Sequence, residues 1–208
     1  MDQNVSLDRK RKTKNPCQVC FLNETRCLCA HIPKLTLRTQ LALVIHRKEL
    51  KRTTNTGRLA LAALTNSEMF VRGEAGKELE FEKILSDDYH PLLFFPADDA
   101  AELTREFVSK IEKPIRLIVP DGNWRQASKI HYRHREFDGV ARVKFSDPNL
   151  ATQHLRAETS PEGMSTLEAI AKAYGIIEGD EVGNQLLALY REKLERTLLG
   201  RGTYLVKP

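Results

Sequence analysis

Two groups of residues in this chain have types and spacings that could carry chemistry. The first is the pattern C-x2-C-x6-C-x-C, which holds all four cysteines of the chain. Two close pairs joined by a short loop can surround a Zn²⁺ ion at about 2.3 Å per sulfur, and four thiolates leave no position open for water. We therefore predict a structural zinc site rather than a catalytic one. Its ligands would be Cys17, Cys20, Cys27 and Cys29.

The alternative is a set of four unrelated free thiols, which such close clustering disfavours. A disulfide framework does not suit a reducing cytosol. The N-terminal segment is basic but is not followed by the apolar run of a secretory signal, so we expect a cytoplasmic protein. His31 and His46 are possible substitute ligands, but neither is needed beside four sulfurs.

The second group begins with PDGNW, directly after the apolar run PIRLIV. Asp121 would stand at the end of a buried strand, where a carboxylate partly dehydrated by Trp124 could act as a general base. Asp121 or Asn123 could instead cap the next helix, and position alone slightly favours this second interpretation. Trp124 could be a large core residue, or it could stack on an adenine or uracil ring.

Strands and helices alternate along the middle of the chain. This alternation predicts an α/β fold with a parallel sheet covered on both faces, in which ligands bind beyond the carboxyl ends of the strands. The predicted strands are QLALVIH, SEMFVRG, LLFFP, PIRLIVP and VARVKF, and the predicted helices are TGRLALAALTN, ADDAAELTREFVSKI, NWRQASKIHYRHREF, STLEAIAKAYGII and EVGNQLLALYREKLERTLLG.

Three of these helices have predicted starts. Thr54 or Asn55 would cap the first, and Asp98 with Asp99 would stand at the electropositive start of the second. In MSTLEAIA a serine and a glutamate have the spacing of a capping box. A helix start that follows a long loop is also a possible site for a ligand carboxylate or for adenosine hydroxyls.

Composition and missing motifs exclude several classes of protein. No apolar run approaches the roughly 20 residues that span a bilayer. The phosphate-binding loop, the dinucleotide-binding glycine motif and the nucleophile elbow are all absent, which disfavours P-loop NTPases, NAD enzymes and serine hydrolases. The formal net charge of +5 suits a polyanionic partner, with RNA the first candidate, although solvated basic faces would also account for it.

Five fragments in order resemble one family. The chain is similar to the DTW-domain proteins, specifically the tRNA-uridine aminocarboxypropyltransferases. The family motif is D-x-T-W, and this chain has Asn123 where threonine is usual. The fragments are CxxC...CxC, VIHRKELKRTTNTGRL, LLFFPADDA, VPDGNWRQASKI and MSTLEAIA.

The resemblance implies a SPOUT-like sheet with a C-terminal trefoil knot and a small N-terminal zinc-binding lobe. The predicted boundaries are a basic flexible tail at 1–15, a zinc knuckle at 16–36 and a catalytic domain at 37–208. The implied reaction moves the 3-amino-3-carboxypropyl group of S-adenosylmethionine to N3 of a uridine in tRNA. A SPOUT-type RNA methyltransferase and a non-catalytic zinc-containing RNA-binding module are the alternatives.

The resemblance also implies site residues. Asp121 and Trp124 would be catalytic, with Asp121 as the base. Neither a membrane nor a protein partner is expected. The expected cofactor-binding residues are Pro96, Leu155, Met164, Ser165 and Thr166, and the expected tRNA contacts are Lys51, Arg52, Arg58, Arg125, Lys129 and Arg133.

Overall fold

A computed structural model of the chain describes residues 15–146, 155 and 164–202; the predicted basic tail up to residue 14 lies outside them. Six strands form one sheet in these residues, and every neighbouring pair is parallel. The strands are β1 (Gln40–His46), β2 (Ser67–Arg72), β3 (His90–Phe94), β4 (Ala101–Glu102), β5 (Ile115–Asp121) and β6 (Ala141–Lys144). Their order in the sheet is β2-β1-β5-β3-β6-β4, so the predicted parallel α/β sheet is confirmed.

Helices follow most of the strands, as predicted. Within the described part of the chain, none of them is both long and apolar enough to cross a membrane. The α-helices are α1 (Gly57–Ala63), α2 (Phe81–Ile84), α3 (Arg105–Ser109), α4 (Trp124–Ala127), α5 (Lys129–Arg133), α6 (Thr166–Ile177) and α7 (Asp180–Arg201), with short 3-10 helices at Glu24–Arg26, Cys29–His31 and Arg135–Phe137.

The central strands are apolar on both faces because helices cover both. In β1, Leu41 and Leu43 belong to a larger core shared with α1, α6 and α7, whereas Ala42 and Val44 belong to a smaller core shared with Phe137. Side chains alternate across a strand, so a continuous apolar run is the pattern of a doubly covered strand. A fully buried leucine contributes about 1.5–3 kcal/mol to folding.

The predicted helix over ADDAAELTREFVSKI is wrong in its first half. Ala101–Glu102 instead forms the edge strand β4, which pairs with β6. The helix starts only at residue 105, where the Thr104 side chain accepts a hydrogen bond from the Phe107 N–H. Asp99 is not at a helix start and forms an ion pair with Arg142 at 2.7 Å. Pairing at the sheet edge has outweighed the local helix propensity.

The predicted single helix over NWRQASKIHYRHREF is interrupted. It is divided into α4, α5 and the 3-10 helix at Arg135–Phe137, with an extended His134 between the last two. The turn at His134 accompanies complete burial of Phe137, whose ring contacts Phe81 with 5.4 Å between centroids. Burial of one aromatic ring thus explains why the regular helix ends early.

The connections of the sheet reverse direction between β1 and β5. From β1 the chain moves to β2 on one side, and from β5 it moves to β6 on the other side. Such a switch point opens a crevice beyond the carboxyl ends of the two strands, and ligands of open α/β sheets bind there. Asp121 is the last residue of β5 and lies opposite Ile45.

Two glycines allow α6 and α7 to pack closely. A methyl group on Gly183 would lie 2.8 Å from the Cα of Gly175 and 3.0 Å from the carbonyl oxygen of Ala171. Both neighbours are backbone atoms, so no side chain can move away to make room. The contact brings α7 directly against the helix whose start lies at the carboxyl edge of the sheet.

We predict that Gly183→Ala lowers the free energy of unfolding by about 1–3 kcal/mol, because the added methyl forces the two helices apart. Gly200→Ala is the matched control on the same helix, where the nearest atom to a methyl would be in the Arg26 side chain at 3.7 Å. It should be neutral or slightly stabilising, since alanine favours helices. Chemical denaturation of both variants is the measurement; equal stabilities would contradict the packing argument.

Candidate active site

The Asp121 carboxylate joins three elements of the fold. It is 5% exposed at the end of β5. Its Oδ2 accepts a hydrogen bond from Asn55 Nδ2 at 2.5 Å, and its Oδ1 accepts one from Thr166 Oγ1 at 2.6 Å. A buried carboxylate needs such donors, and both bonds stabilise its negative charge. The site is therefore built by the loop after β1, the end of β5 and the start of α6.

The tripeptide Asn55-Thr56-Gly57 supplies the loop side of this site. Thr56 Oγ1 accepts a hydrogen bond from the Leu167 N–H at 3.1 Å, which ties the start of α1 to the start of α6. A methyl group at Gly57 would lie 2.9 Å from Asp121 Oδ2, so a glycine is required beside the carboxylate. The residue before α1 is Thr56, without a side-chain cap; the predicted cap Asn55 still accepts from the Arg58 N–H at 3.3 Å.

The start of α6 has the predicted capping box. Ser165 Oγ accepts from the Glu168 N–H, and the Glu168 carboxylate accepts from the Ser165 N–H, both at 3.3 Å. This capping orients Thr166 toward Asp121. Thr166 is partly exposed whereas Asp121 is buried, so the threonine hydroxyl is the more accessible member of the pair.

Asn123, and not Asp121, caps the helix that follows β5. Asn123 Oδ1 accepts from the Gln126 N–H, and Gln126 Oε1 accepts from the Asn123 N–H, both at 2.9 Å. Asparagine thus performs a capping role at the position where the family motif usually has threonine. The backbone of Trp124 begins α4, and its side chain lies outside what the structure describes.

The other expected cofactor residues lie at separate points of the fold. Pro96 is exposed shortly after β3, the strand next to β5. Met164 is partly buried directly before α6. Leu155 is buried in the larger core, and its carbonyl oxygen accepts a hydrogen bond from Arg201 at 3.0 Å. The rest of the loop, at 147–154 and 156–163, lies outside the described residues.

The expected RNA contacts have different environments. Lys51 is exposed, and Arg52 is exposed with an ion pair to Glu49 at 3.1 Å. Arg58 has structural contacts, since it donates to the Leu50 carbonyl at 3.0 Å and lies 4.8 Å from the centre of the Phe21 ring. These three residues follow β1, at the carboxyl edge of the sheet.

The basic residues after β5 form a second positive group. Arg125 and Arg133 are exposed. The charge of Arg133, followed by burial and the charges of Arg125 and Arg72, holds the pKa of Lys129 below its ordinary value. Since like charges that lie close together repel, this segment is suited to an anionic partner.

The four cysteines form a compact group of sulfur atoms. All four Sγ atoms lie within 4.8 Å of one another, with 3.4 Å between Cys17 and Cys29 and 3.7 Å between Cys20 and Cys27. Tetrahedral Zn–S bonds of about 2.3 Å require sulfur atoms about 3.8 Å apart, and a disulfide bond would be about 2.05 Å long. The arrangement therefore fits a four-thiolate metal site.

The histidines considered as substitute ligands lie elsewhere. His31 Nδ1 pairs with Glu192 at 2.9 Å, and His46 is the last residue of β1. Among the cysteines, hydrogen bonds from the backbone of Cys20 and Val19 lower the pKa of Cys17 to about 6, and burial raises the pKa of Cys20. Binding of a metal would replace the remaining thiol protons.

The cysteine segment is held against α7 by two cations. Lys193 is buried and donates to the Cys20 carbonyl at 2.5 Å, and Arg196 donates to the Cys27 carbonyl at 2.5 Å. Burial lowers the pKa of Lys193 to about 8, opposed by the neighbouring cysteines. Leu22 and Leu28 from this segment pack in the larger core. The boundary predicted at residue 36 remains a prediction.

Several contributors were not identified from the sequence. Asn55 was assigned only a capping role, and Gly57, Arg72 and Lys193 were not singled out. The one available signal was the N-T-G tripeptide between a strand and a helix, since parallel strands bring such turns to the same edge. The proximity of this tripeptide to Asp121 depends on the sheet order.

A family model and several curated proteins match the sequence of this chain. The DTW domain model matches residues 14–198. The tRNA-uridine aminocarboxypropyltransferase 2 of Mus musculus is 26% identical over 168 residues, which cover 78% of this chain and 56% of that protein. The protein of the same name from Drosophila melanogaster is 24% identical over 181 residues, covering 84% and 70%. This chain thus spans 56% of the length of the mouse protein and 58% of the length of the relative of the same name from Macaca fascicularis.

A solved structure has a related fold. The SAM-dependent rRNA:acp-transferase Tsr3 from Vulcanisaeta distributa superposes with a TM-score of 0.51 at 16% identity, over 80% of each chain. Sheet and site together define a parallel α/β protein with a buried carboxylate at its switch point and an appended four-cysteine site. The chain belongs to the DTW domain family, as its sequence resemblance indicated.

We predict that the purified protein holds one Zn²⁺ per chain and that Cys20→Ser removes it, because three sulfurs and one hydroxyl bind zinc weakly. The melting temperature should fall with it, since metal binding contributes folding free energy. His31→Ala is the control, as His31 is two residues from Cys29 in the sequence but pairs with Glu192 and does not belong to the sulfur group. Native mass spectrometry measures the metal content; full occupancy in Cys20→Ser would contradict the assignment.

Proposed function

We propose that this protein transfers the 3-amino-3-carboxypropyl group of S-adenosylmethionine to N3 of a uridine in tRNA, releasing methylthioadenosine. Membership of the DTW domain family and the names of the similar proteins support this activity. The observation that carries it is the buried Asp121, with Asn55 and Thr166 as donors, at the switch point of the sheet.

The order of the strands supports the division of the site into two sides. The cofactor residues proposed from the family resemblance follow β3 and β6, namely Pro96, Leu155, Met164, Ser165 and Thr166. The proposed tRNA contacts Lys51, Arg52 and Arg58 follow β1, on the opposite side of β5. Asp121 ends the strand between β1 and β3, and the start of α6 contacts both Asp121 and the loop after β1, so the two substrates would have to meet there.

The residues present fit an amino acid and nucleoside ligand. The start of the twelve-residue helix α6 brings a partly exposed hydroxyl beside a carboxylate. When bound, S-adenosylmethionine supplies an electrophilic carbon and a sulfonium leaving group, so no metal is needed at this point. The zinc ion proposed for the cysteines would have four sulfur ligands and no open coordination position, so its role would be structural.

The uridine N3 must lose its imide proton to become a nucleophile. Asp121 is the proposed base, and Thr166 provides the route to it, since its hydroxyl already donates to the carboxylate. Thr166 Oγ1 would accept the N3 proton while its own proton passes to Asp121. The bond from N3 to carbon forms as the bond from carbon to sulfur breaks, and the proton ends on Asp121.

Further parts of the proposal come from the family resemblance. These are a SPOUT-like C-terminal trefoil knot, a stacking or wall role for Trp124, and a cytoplasmic location. Most of the connection between β6 and α6, at 147–154 and 156–163, lies outside the described residues.

We expect unmodified tRNA incubated with the protein and S-adenosylmethionine to gain a nucleoside whose added mass equals one aminocarboxypropyl group. Mass spectrometry of the digested tRNA is the measurement. Label in the carboxyl carbon of the methionine part should enter the tRNA, and label in its methyl group should not. Transfer of the methyl label alone would make the protein a methyltransferase; no added mass and no cofactor binding would favour an RNA-binding module.

We expect Asp121→Asn to reduce turnover by roughly 10²–10⁴-fold, the usual contribution of a positioned base. Thr166→Val, which has nearly the same shape without the hydroxyl, should lose activity in the same direction, and Thr166→Ser should restore most of it. Calorimetry should show nearly unchanged cofactor affinity in Asp121→Asn. Because Thr166 is also a proposed cofactor contact, turnover of its variants is compared at saturating S-adenosylmethionine. Full turnover in Thr166→Val would exclude the relay, and full turnover in Asp121→Asn would exclude the base.

A further inference from the structure

Arg72 is a buried cation, and the described residues supply no acidic partner for it. It is the last residue of β2 and is 9% exposed. One guanidinium nitrogen donates to the Gln126 carbonyl, and Nε has no hydrogen-bond partner. A buried, incompletely paired charge costs stability, so a protein retains one chiefly where it serves a purpose.

The groups around Arg72 are mostly positive. Burial and the charge of Arg133 lower the pKa of Arg72, opposed only by Tyr132. Arg72 in turn is among the charges that lower the pKa of Lys129. No carboxylate in the described part of the chain is among the groups that shift the pKa of either side chain, and Arg125 adds a further positive charge near Lys129.

Two histidines border the same group. Burial, with Arg72 as the first electrostatic cause, lowers the pKa of His46 and of His134. Glu49 opposes the effect at His46, and Glu136 opposes it at His134. Both histidines therefore favour their neutral forms at neutral pH, because the charged groups around them are mostly positive.

We propose that Arg72, Lys129 and Arg133 bind one phosphate diester of the RNA substrate. The identity of the ligand as RNA rests on the proposed function. A phosphate supplies the negative charge and the acceptor oxygens that Arg72 lacks, and arginine matches phosphate through its fork of N–H donors. Little solvent screens a charge as buried as that of Arg72, so it strengthens the field that the more exposed cations present.

The strand order favours an RNA phosphate over the carboxylate of the cosubstrate. β2 is an edge strand, and β1 separates it from β5. Of the proposed cofactor residues, Pro96 follows β3, on the far side of Asp121 from Arg72, and the start of α6 lies at Asp121 itself. Arg72 instead adjoins His46 and the basic loop after β1, since the Arg47 N–H donates to the Arg72 carbonyl at 2.9 Å.

The site is also connected to the turn that carries the catalytic carboxylate. Arg72 donates to the carbonyl of Gln126, and the Gln126 side chain accepts from the backbone of Asn123. A methyl on Gly122 would lie 3.0 Å from the Gln126 side chain, so this residue packs directly on the turn after Asp121. A phosphate held by Arg72 would thus be positioned relative to Asp121 through a few short contacts.

The test is RNA affinity at several salt concentrations, measured with an in vitro transcribed tRNA and no cofactor. We expect Arg72→Gln to weaken binding about tenfold and to reduce the slope of log affinity against log salt by about one, the effect of one lost phosphate contact. Arg116→Gln is the matched control. Arg116 is 4% exposed with unpaired nitrogens, but it stands near the opposite end of β5, beside Tyr89. Its replacement should leave affinity and slope unchanged.

Arg133→Gln removes an exposed cation of the same group and carries the test if Arg72→Gln does not fold. It should also lower the slope by about one, and an unchanged slope would overturn the proposal. Calorimetry with S-adenosylmethionine distinguishes an RNA phosphate from the carboxylate of the cosubstrate as the ligand of Arg72. Weaker cofactor binding by Arg72→Gln with unchanged RNA binding would also overturn the proposal. If the wild-type protein modified no tRNA but the slope still fell, the proposed function would fail and the phosphate site would stand.

Discussion

The Asp121 carboxylate, bound by Asn55 and Thr166, is the interaction on which the rest of the site depends. It gathers the loop after β1, the end of β5 and the start of α6 at one point. The cost of burying a carboxylate makes the arrangement specific, because losing either donor would leave charge without compensation. Gly57 provides the space that this carboxylate needs.

Close packing links this point to the cysteine segment. Lys193 and Arg196 of α7 donate to the carbonyls of Cys20 and Cys27, and α7 packs against α6 at Gly175 and Gly183. The first residue of α6 is Thr166, which contacts Asp121. A metal bound by the cysteines would therefore stabilise a surface that supports α6, the helix that contacts Asp121 in the candidate active site.

Much of the fold could be predicted, and the errors have definite physical causes. Apolar runs such as QLALVIH identified the strands, since a strand covered on both faces must be apolar throughout. The first half of the helix predicted over ADDAAELTREFVSKI was wrong because Ala101–Glu102 gains strand pairing with β6. The interruption at His134 could not be predicted, because it accompanies burial of Phe137 against the distant Phe81.

By itself the sequence determined what depends on neighbours along the chain. The spacing of four cysteines, the capping box of Ser165 and Glu168, and the position of Asp121 after a buried strand are all local properties. Only the tertiary structure decided which residues surround Asp121 and that Arg72 is buried with no acidic partner among residues 15–146, 155 and 164–202. Both depend on the strand order β2-β1-β5-β3-β6-β4, which arises from packing between distant segments.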